Sequence, residues 1–204
     1  MTAEITPTVN DPGFWDRAYA TGRDQWELAG PTPPLVSLLR RQPPPLGRVA
    51  VLGCGRGHDA HLFARHGYDA WGFDFSAAAI KAARRLTGPG DGAVHFEQLD
   101  IFELPARYPA SFDGIWEYTC FCAIDPSRRP EYVEVVRGIL KPSGWLLALF
   151  FPTQWGSNGP PFPVKEPEVH RLFEPSFQIE RSWAPADSAK GRLGLEWFVM
   201  ARPR

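Results

Sequence analysis

Short apolar runs alternate with segments of helical periodicity between residues 44 and 151. The runs are apolar along most of their length, which is typical of strands buried on both faces of a parallel sheet. The alternation therefore predicts an α/β fold with a doubly wound, mostly parallel sheet. The runs expected to form strands are RVAVLG (48–53), DAWGFDF (69–75), AVHFEQLD (93–100), FDGIWEY (112–118) and WLLALFFP (145–152).

Helical patterns lie between these runs. The segments HDAHLFARH (58–66) and SAAAIKAARRL (76–86) are each predicted to form one helix. A third, amphipathic helix is predicted over 130–144, because Pro142 and Gly144 are residues that end helices.

The part of the chain that follows has a different pattern. A loop rich in proline and glycine (153–163) and a short helix (166–174) precede two further strands, at 177–184 and 193–203. No helical pattern separates these two strands, which predicts an antiparallel pair at the sheet edge and seven strands in all.

Composition excludes several classes of partner. The 204 residues carry a net charge of −1, which gives no electrostatic attraction to nucleic acid or to an anionic membrane. No apolar run approaches the roughly 18–20 residues that a membrane span needs. The chain opens without the basic and then apolar order of a secretory leader. We therefore expect a cytoplasmic location with no membrane or nucleic-acid partner.

Three cysteines, Cys54, Cys120 and Cys122, are too few and too irregularly spaced for a disulfide framework. The C-x-C spacing of the last two differs from the C-x-x-C of thiol oxidoreductases, and no second cysteine pair or histidine pair completes a zinc site. We expect no bound metal, and we expect Cys120 and Cys122 to be packing residues just past the fourth strand.

The first predicted strand ends in a glycine loop, VLGCGRGHDA. Its glycines allow a tight turn and a close approach of the backbone to a ligand, so we expect contacts from Gly53, Cys54 and Gly55. The dinucleotide fingerprint G-x-G-x-x-G would place glycine at position 58, where His58 stands. A nicotinamide-dependent oxidoreductase is therefore disfavoured, although it stays a competing interpretation.

Acidic residues end the next two predicted strands. Asp74, followed by Phe75, lies 21 residues after Gly53, and its carboxylate can accept hydrogen bonds from both hydroxyls of a ribose. Asp100 ends the third strand and can meet an adenine amino group, with Ile101 or Phe102 against the ring. Together with the glycine loop, these acids resemble the S-adenosylmethionine site of class I methyltransferases.

The N-terminal segment supplies aromatic residues. Trp15 and Tyr19 are one helical turn apart, and Trp26 follows. Aromatic faces attract cations by roughly 0.5–2 kcal/mol per contact, so these rings can cover a sulfonium. They can also pack a predicted helix (11–26) onto the sheet, and both roles are compatible with a lid that includes a second predicted helix (33–42).

Longer motifs carry a more specific resemblance. The chain is similar to the thiopurine S-methyltransferase-like superfamily, and within it most similar to the halide/thiol methyltransferases, also called harmless-to-ozone-layer proteins. The similarity extends from about residue 13 to the end. The motifs that carry it are FWDRAYATGRDQWELAGPTPPL, VLGCGRGHDA, FDGIWEYTCFCAIDPSRRPEY and LKPSGWLLALFFP.

The resemblance implies roles for individual residues. Tyr118 corresponds to an aromatic residue beside the methionine part of the cofactor, and Arg129 to an arginine that faces the substrate pocket. Glu117 stands where plant relatives carry aspartate, and Arg128 is an additional cation. An alternative for Arg129 is a salt bridge at a helix start. The other positions implied to hold the cofactor are Trp15, Tyr19, Trp26, Gly53, Asp74, Asp100 and Ile101.

The resemblance also implies one domain over residues 1–204. Within it we expect an N-terminal cofactor lid (1–43), a cofactor-binding βα core (44–152) and a region with a substrate loop and a C-terminal hairpin (153–204). The expected protein is a monomer that acts on a small-molecule substrate.

The implied reaction is methyl transfer from S-adenosylmethionine to a thiol, hydrosulfide or halide, leaving S-adenosylhomocysteine. A soft anion needs no dedicated base, and an arginine favours an anionic acceptor. Tyr118 is expected to orient the acceptor. Phe121, Trp155 and Phe162 are candidate pocket walls. Alternatives are an aromatic-thiol (thiopurine-like) or metalloid methyltransferase, and a binder of S-adenosylmethionine without catalytic activity.

Overall fold

The structure is a computed structural model that describes residues 7–154 and 159–204. All seven strands within these ranges belong to one sheet, in the order β3-β2-β1-β4-β5-β7-β6. The strands β1 to β5 run parallel, and β7 is antiparallel to both of its neighbours. The prediction of a mostly parallel sheet with an antiparallel C-terminal pair is confirmed. The strands are β1 (Arg48–Leu52), β2 (Asp69–Asp74), β3 (Val94–Gln98), β4 (Phe112–Tyr118), β5 (Leu140–Phe150), β6 (Phe177–Trp183) and β7 (Trp197–Pro203).

Helices cover both faces of the sheet. Alternate residues of one strand face opposite sides, so that Val51 packs in the cluster beneath α2 and α3, and Leu52 packs in the cluster beneath α6. No helix of the described residues is long and apolar enough to cross a membrane. The helices are α1 (Pro12–Ala20), α2 (Pro33–Arg41), α3 (His58–Arg65), α4 (Ala77–Leu86), α5 (Leu104–Arg107), α6 (Arg129–Ile139) and α7 (Glu166–Phe173).

The prediction of a helix over 130–144 is wrong at its C-terminal end. Helix α6 ends at Ile139, and residue 140 already begins β5. Pro142 has no N–H to donate and disfavours helical backbone in the residue before it. The pairing of β4 with β5 shifts between Phe112 and Gly114, and this irregularity accommodates the extra residues.

The end segments are also shorter than predicted. Helix α1 ends at Ala20, so the predicted helix over 11–26 covers only its first part. The last strand begins at Trp197 rather than at 193. The residues between β6 and β7 therefore form a longer connection, which we call the β6–β7 loop (184–196).

The topology brings distant segments to one edge of the sheet. The carboxyl ends of β1 to β5 meet there because these strands are parallel. Strand β7 runs the opposite way, and its first residue, Trp197, pairs with Phe150 at the end of β5. The β6–β7 loop therefore lies at the same edge as the glycine loop.

Glu117 supports the turn that follows β4. Its side chain is 1% exposed, and one carboxylate oxygen accepts the backbone N–H groups of Cys120 (3.1 Å) and Phe121 (2.8 Å). The other oxygen accepts the hydroxyl of Tyr132. Thr119, inside this turn, has a φ of 58°, a backbone conformation that non-glycine residues rarely adopt. Burial raises the pKa of Glu117 to about 7.

We expect Gly114→Ala to destabilise the fold. A Cβ at this position would lie 2.1 Å from Cζ2 of Trp145, which is buried between strand and helix. Overpacking of this kind costs about 1–3 kcal/mol of unfolding free energy, measurable by urea denaturation. Gly30→Ala is the matched control, because its Cβ would meet no heavy atom within 4 Å. Equal stability of both variants would contradict the packing argument.

Glu117 also predicts a pH dependence of stability. Its pKa is higher in the fold, about 7, than the ordinary value of 4.5, so the folded state binds the proton more tightly. The unfolding free energy should therefore fall as the pH rises from about 5 to 8, because ionisation is easier in the unfolded chain.

Glu117→Gln should reduce the fall in unfolding free energy between about pH 5 and pH 8 by about 1–3 kcal/mol, measured by urea denaturation at these two pH values. Glu134→Gln changes an exposed glutamate of α6 and serves as the control. If Glu117→Gln has the same pH slope as the unaltered protein, the buried carboxyl is not responsible.

Candidate functional site

A cavity of about 410 Å³ opens at the carboxyl edge of the sheet. Its walls come from the ends of the parallel strands, from the N-terminal segment and from the β6–β7 loop. The structure brings together here most of the residues expected to contact a cofactor. Those that line the cavity are Trp15, Tyr19, Trp26, Gly53, Asp74, Phe75, Asp100 and Ile101.

Asp74 lies at the end of β2 and is 8% exposed. One carboxylate oxygen accepts the backbone N–H of Ser76 at 2.9 Å, and the other accepts that of Gly55 at 3.0 Å. Burial, together with the nearby charge of Asp16, raises the pKa of Asp74 to about 6. The carboxylate is thus held by backbone on both oxygens, and it retains further lone pairs for a ligand in the cavity.

The glycine loop follows β1 in the left-handed conformation that glycine adopts readily. The φ angles of Gly53 and Gly55 are 58° and 54°. A Cβ at Gly53 would lie 2.9 Å from Sγ of Cys120, so a side chain here would clash. Cys54 and Gly55 line a smaller neighbouring pocket of about 60 Å³ instead of the main cavity.

The three predicted aromatic residues form one cluster at the cavity. Trp26 packs edge-on against Trp15 at 5.3 Å and against Tyr19 at 5.4 Å between ring centroids. Its Nε1 also donates to the hydroxyl of Tyr19 at 3.2 Å. Burial raises the pKa of Tyr19, so its hydroxyl stays protonated. The cluster is therefore a neutral, electron-rich wall.

Polar contacts fasten this N-terminal segment to the sheet. Asp16 accepts the hydroxyl of Ser76 at 2.5 Å, at the start of α4. Arg56, in the glycine loop, pairs with Asp24 at 2.5 Å. His58 pairs with Glu27 at 3.1 Å. Sequence patterns did not identify these contacts, because each joins residues that are 31 or more positions apart.

Asp100 begins a single 3₁₀ turn after β3. Its Oδ1 accepts the backbone N–H of Phe102 at 3.0 Å and thereby fixes the turn that presents Ile101 to the cavity. The guanidinium of Arg128 lies 3.4 Å from the ring centroid of Phe102. This end of the cavity therefore has one carboxylate and a covered aromatic ring.

Tyr118 ends β4, but it lines the smaller pocket and is absent from the described lining of the main cavity. Its hydroxyl donates to Oε1 of Glu196 at 2.6 Å and accepts a hydrogen bond from Arg192. Burial raises the pKa of Tyr118, which leaves its hydroxyl protonated at neutral pH and unsuited to remove a proton.

The expectation that Arg129 faces the substrate pocket is not met. Arg129 is 2% exposed, and its Nη1 donates to Oε2 of Glu168 in α7 at 2.7 Å. Its guanidinium also lies 4.8 Å from the ring centroid of Phe121. As the first residue of α6 it points toward α7 rather than the cavity. The alternative expectation, that Arg129 forms a salt bridge, is correct, but its partner is Glu168 in α7 and not an acid close in sequence. The nearby acid Glu131 pairs with Arg128 instead, at 2.9 Å.

Four other cationic side chains line the cavity instead, and the sequence analysis did not assign any of them to it. They lie in the N-terminal segment, before α6 and in the β6–β7 loop. The loop carries no recognisable motif, and its place at this edge follows from the antiparallel direction of β7 alone. The four are Arg23, Arg128, Lys190 and Arg192.

Cys120 and Cys122 are buried and line the cavity, and Cys54, Cys120 and Cys122 are all free thiols. Burial raises the pKa of Cys122 to about 12 and that of Cys120 well above its ordinary value, so both thiols stay neutral. Of the predicted walls, Phe121 belongs to the core beneath α6. Trp155 lies outside the described residues.

Comparison with known proteins agrees with this geometry. The sequence profile of the family Thiopurine S-methyltransferase (TPMT) matches residues 10–196. A probable thiol methyltransferase 2 of Arabidopsis thaliana is 32% identical over 166 residues, which are 81% of this chain and 74% of the relative. Thiocyanate methyltransferase 1 of Brassica oleracea is 33% identical over 162 residues, 79% of this chain and 72% of the relative.

A solved structure shares the fold. The 1,6-didemethyltoxoflavin-N1-methyltransferase of Burkholderia thailandensis, with bound 1,6-didemethyltoxoflavin and S-adenosylhomocysteine, aligns over 100% of this chain and 93% of its own. Its TM-score is 0.71 at 22% identity. The family profile and the relatives that are about one-third identical establish more than the fold, and the chain therefore belongs to the thiopurine S-methyltransferase family of S-adenosylmethionine-dependent methyltransferases.

Proposed function

We propose that this methyltransferase transfers the methyl group of S-adenosylmethionine to a small, soft nucleophile, namely a thiol, hydrosulfide or halide. The observation that carries the proposal is the distribution of charge in the cavity. In the described lining, carboxylates come only from Asp74 and Asp100, and no histidine is present. The side beyond β4 and β5 thus has cations and neutral thiols, and it has no group suited to act as a general base.

The chain has groups that fit the cofactor. Gly53, which has no side chain, lines the cavity, and Asp74 presents a carboxylate for the ribose hydroxyls. Asp100 and Ile101 would contact the adenine, and the aromatic cluster would face the sulfonium. S-Adenosylmethionine supplies a methyl group on a positively charged sulfur, which becomes a neutral thioether when the bond to the acceptor forms and the bond to sulfur breaks.

The remaining residues position the acceptor and exclude water. Cys120, Cys122 and Phe151 give this side of the cavity a soft, largely apolar surface. Alignment of the two reactants and removal of water are the main contributions that such a displacement requires. An acceptor that is already an anion needs no general base to remove a proton.

An aromatic thiol is a second candidate acceptor. The family name points to thiopurines, and apolar residues at the acceptor side, Ile124, Phe151 and Pro161, form walls that a planar ring could contact. Parallel turnover with hydrosulfide, an alkyl thiol, an aromatic thiol, thiocyanate and iodide, measured as release of S-adenosylhomocysteine, ranks these acceptors. If none of them supports release while S-adenosylhomocysteine still binds, the proposal is wrong and the protein is a binder of the nucleoside.

The absence of a base predicts how kcat/KM depends on pH. For an alkyl thiol with a pKa of about 8.5, the thiolate fraction rises roughly eightfold between about pH 7 and pH 8, and kcat/KM should follow it. For iodide, which carries no proton, kcat/KM should change less than about twofold over the same range. An equal rise with both acceptors would instead reveal a titrating group of the enzyme.

Asp74 predicts that the cofactor binds less tightly in acid. Its pKa is about 6, and the ionised carboxylate is the form that accepts hydrogen bonds from ribose hydroxyls. The dissociation constant for S-adenosylhomocysteine, measured by calorimetry, should be constant above pH 7 and should rise by up to about tenfold per pH unit below pH 6.

Asp74→Asn should weaken binding of S-adenosylhomocysteine by about 10- to 100-fold at pH 7.5 and should reduce the acid dependence. Asp187→Asn alters an exposed aspartate of the β6–β7 loop and should leave both properties unchanged. A strong acid dependence that persists in Asp74→Asn would assign it to another group.

A further inference from the structure

Thr119, the first residue after β4, has a strained backbone conformation. Its φ is 58°, whereas β-branched residues are found almost exclusively at negative φ. At positive φ the Cβ of an L-residue lies too close to the following carbonyl oxygen, and glycine avoids this crowding because it has no Cβ. Strained residues of this kind persist only where their surroundings hold them in place, and they are concentrated at functional sites.

The neighbouring chain holds Thr119 in this conformation from both sides. Before it, β4 is paired with β5 in the sheet up to Tyr118. After it, the buried carboxylate of Glu117 accepts the backbone N–H groups of Cys120 at 3.1 Å and of Phe121 at 2.8 Å. The turn is therefore closed around position 119, and hydrogen bonds on either side maintain the strain there.

Contacts within the protein do not account for the strain at Thr119. The residue is partly exposed and lines the cavity. Among the described residues, no hydrogen bond joins its hydroxyl to another protein group. A glycine here would satisfy the same backbone geometry without strain. The role of the threonine side chain therefore lies in the cavity.

Thr119 lies at the boundary between the two sides of the cavity. In the sheet, β4 lies between β1 and β5. Asp74 ends β2, on the β1 side of β4, and Arg192, the buried cation of the described lining, precedes β7 on the β5 side. Thr119 is also one of three described residues that line both the main cavity and the smaller pocket, together with Trp26 and Gly53. It thus lies where these two spaces meet.

Under the proposed function, the methyl group crosses this boundary. The electron pair of the acceptor forms a bond to the methyl carbon, while the bond from that carbon to sulfur breaks and leaves its pair on sulfur. We infer that the γ-atoms of Thr119 pack against the reacting groups and hold the donor and the acceptor in line. Thr119 is thus a catalytic residue that acts through its shape. The inference rests on the proposed function and adds to it the residue that aligns the two reactants.

The reaction explains why the branched carbon of Thr119 matters more than its hydroxyl. Displacement at a methyl carbon needs alignment and exclusion of water, and a misplacement of about 1 Å can cost about 100-fold in rate. Serine would supply a hydroxyl alone, and asparagine would supply a polar side chain that tolerates positive φ better. A β-branched side chain has a restricted χ1, so it presents a fixed surface to a ligand.

Strain at Thr119 predicts that Thr119→Gly folds at least as well as the unaltered protein. Relief of the strain balances or outweighs the greater freedom of glycine in the unfolded chain, so the urea midpoint should be equal or higher. Ala110→Gly is the matched control, because Ala110 is exposed, has a φ of 44° and is absent from the described lining of the cavity. A lower midpoint for Thr119→Gly alone would make Thr119 a structural residue and overturn the inference.

The kinetic test measures release of S-adenosylhomocysteine with the fastest of the five acceptors named above. Thr119→Ala keeps the Cβ, and with it the restricted backbone, but lacks both γ-atoms. Its kcat should fall about 10- to 100-fold, while the KM for the donor and for the acceptor changes less than about threefold. Thr119→Val keeps the branch and lacks the hydroxyl, so its kcat should stay within about threefold of the unaltered value. Ala110→Gly should leave kcat unchanged.

The outcomes separate the inference from the proposed function. Unchanged kcat in Thr119→Ala, or a loss in Thr119→Val as large as in Thr119→Ala, would overturn the inference alone. Weaker binding of S-adenosylhomocysteine by Thr119→Ala that accounts for its whole loss of kcat/KM would also overturn it, since the residue would then serve the cofactor only. If the unaltered protein binds the nucleoside but releases none with any acceptor, the proposed function is wrong and the inference falls with it.

Discussion

The arrangement of the site depends on the carboxylate of Asp74. By accepting the N–H groups of Gly55 and Ser76, it joins the glycine loop after β1 to the start of α4. The Ser76 hydroxyl then donates to Asp16, which lies in α1. One buried carboxylate thus couples three segments. Burial, and with a smaller effect the nearby negative charge of Asp16, raise the pKa of Asp74 to about 6. A ligand that donates to Asp74 would relieve this cost, and under the proposed function part of the cofactor affinity would derive from it.

The acids and the buried cation of the described cavity lining lie on opposite sides of β1. The acids follow β2 and β3, and the buried cation lies beyond β5 at the start of β7. Under the proposed function, a cationic methyl donor would be attracted to the acids and the electron-rich rings, and an anionic acceptor to the buried cation.

Sequence patterns predicted the sheet because strand burial and helix periodicity are local properties. The places of Asp74 and Asp100 at the cavity were predictable for the same reason, since Asp74 is the last residue of β2 and Asp100 lies two residues after β3. The error at residues 140–144 arose where strand pairing outweighed helical periodicity. Arg129 was placed wrongly and Arg192 was not considered, because the direction of a long side chain depends on its tertiary partner. Glu168 takes the guanidinium of Arg129, and only the antiparallel course of β7 brings Arg192 to the cavity.

The antiparallel β7 has a consequence for how such a fold diversifies. Apart from the N-terminal aromatic cluster, the proposed cofactor side of the cavity is built by turns after β1, β2 and β3, where an insertion would disturb the sheet. The acceptor half includes the β6–β7 loop, which joins two strands at the sheet edge and can change in length without altering any parallel pairing. Under the proposed function, acceptor preference can therefore drift while methyl-donor recognition is retained, and a chimaera that exchanges only residues 184–196 would transfer one property without the other.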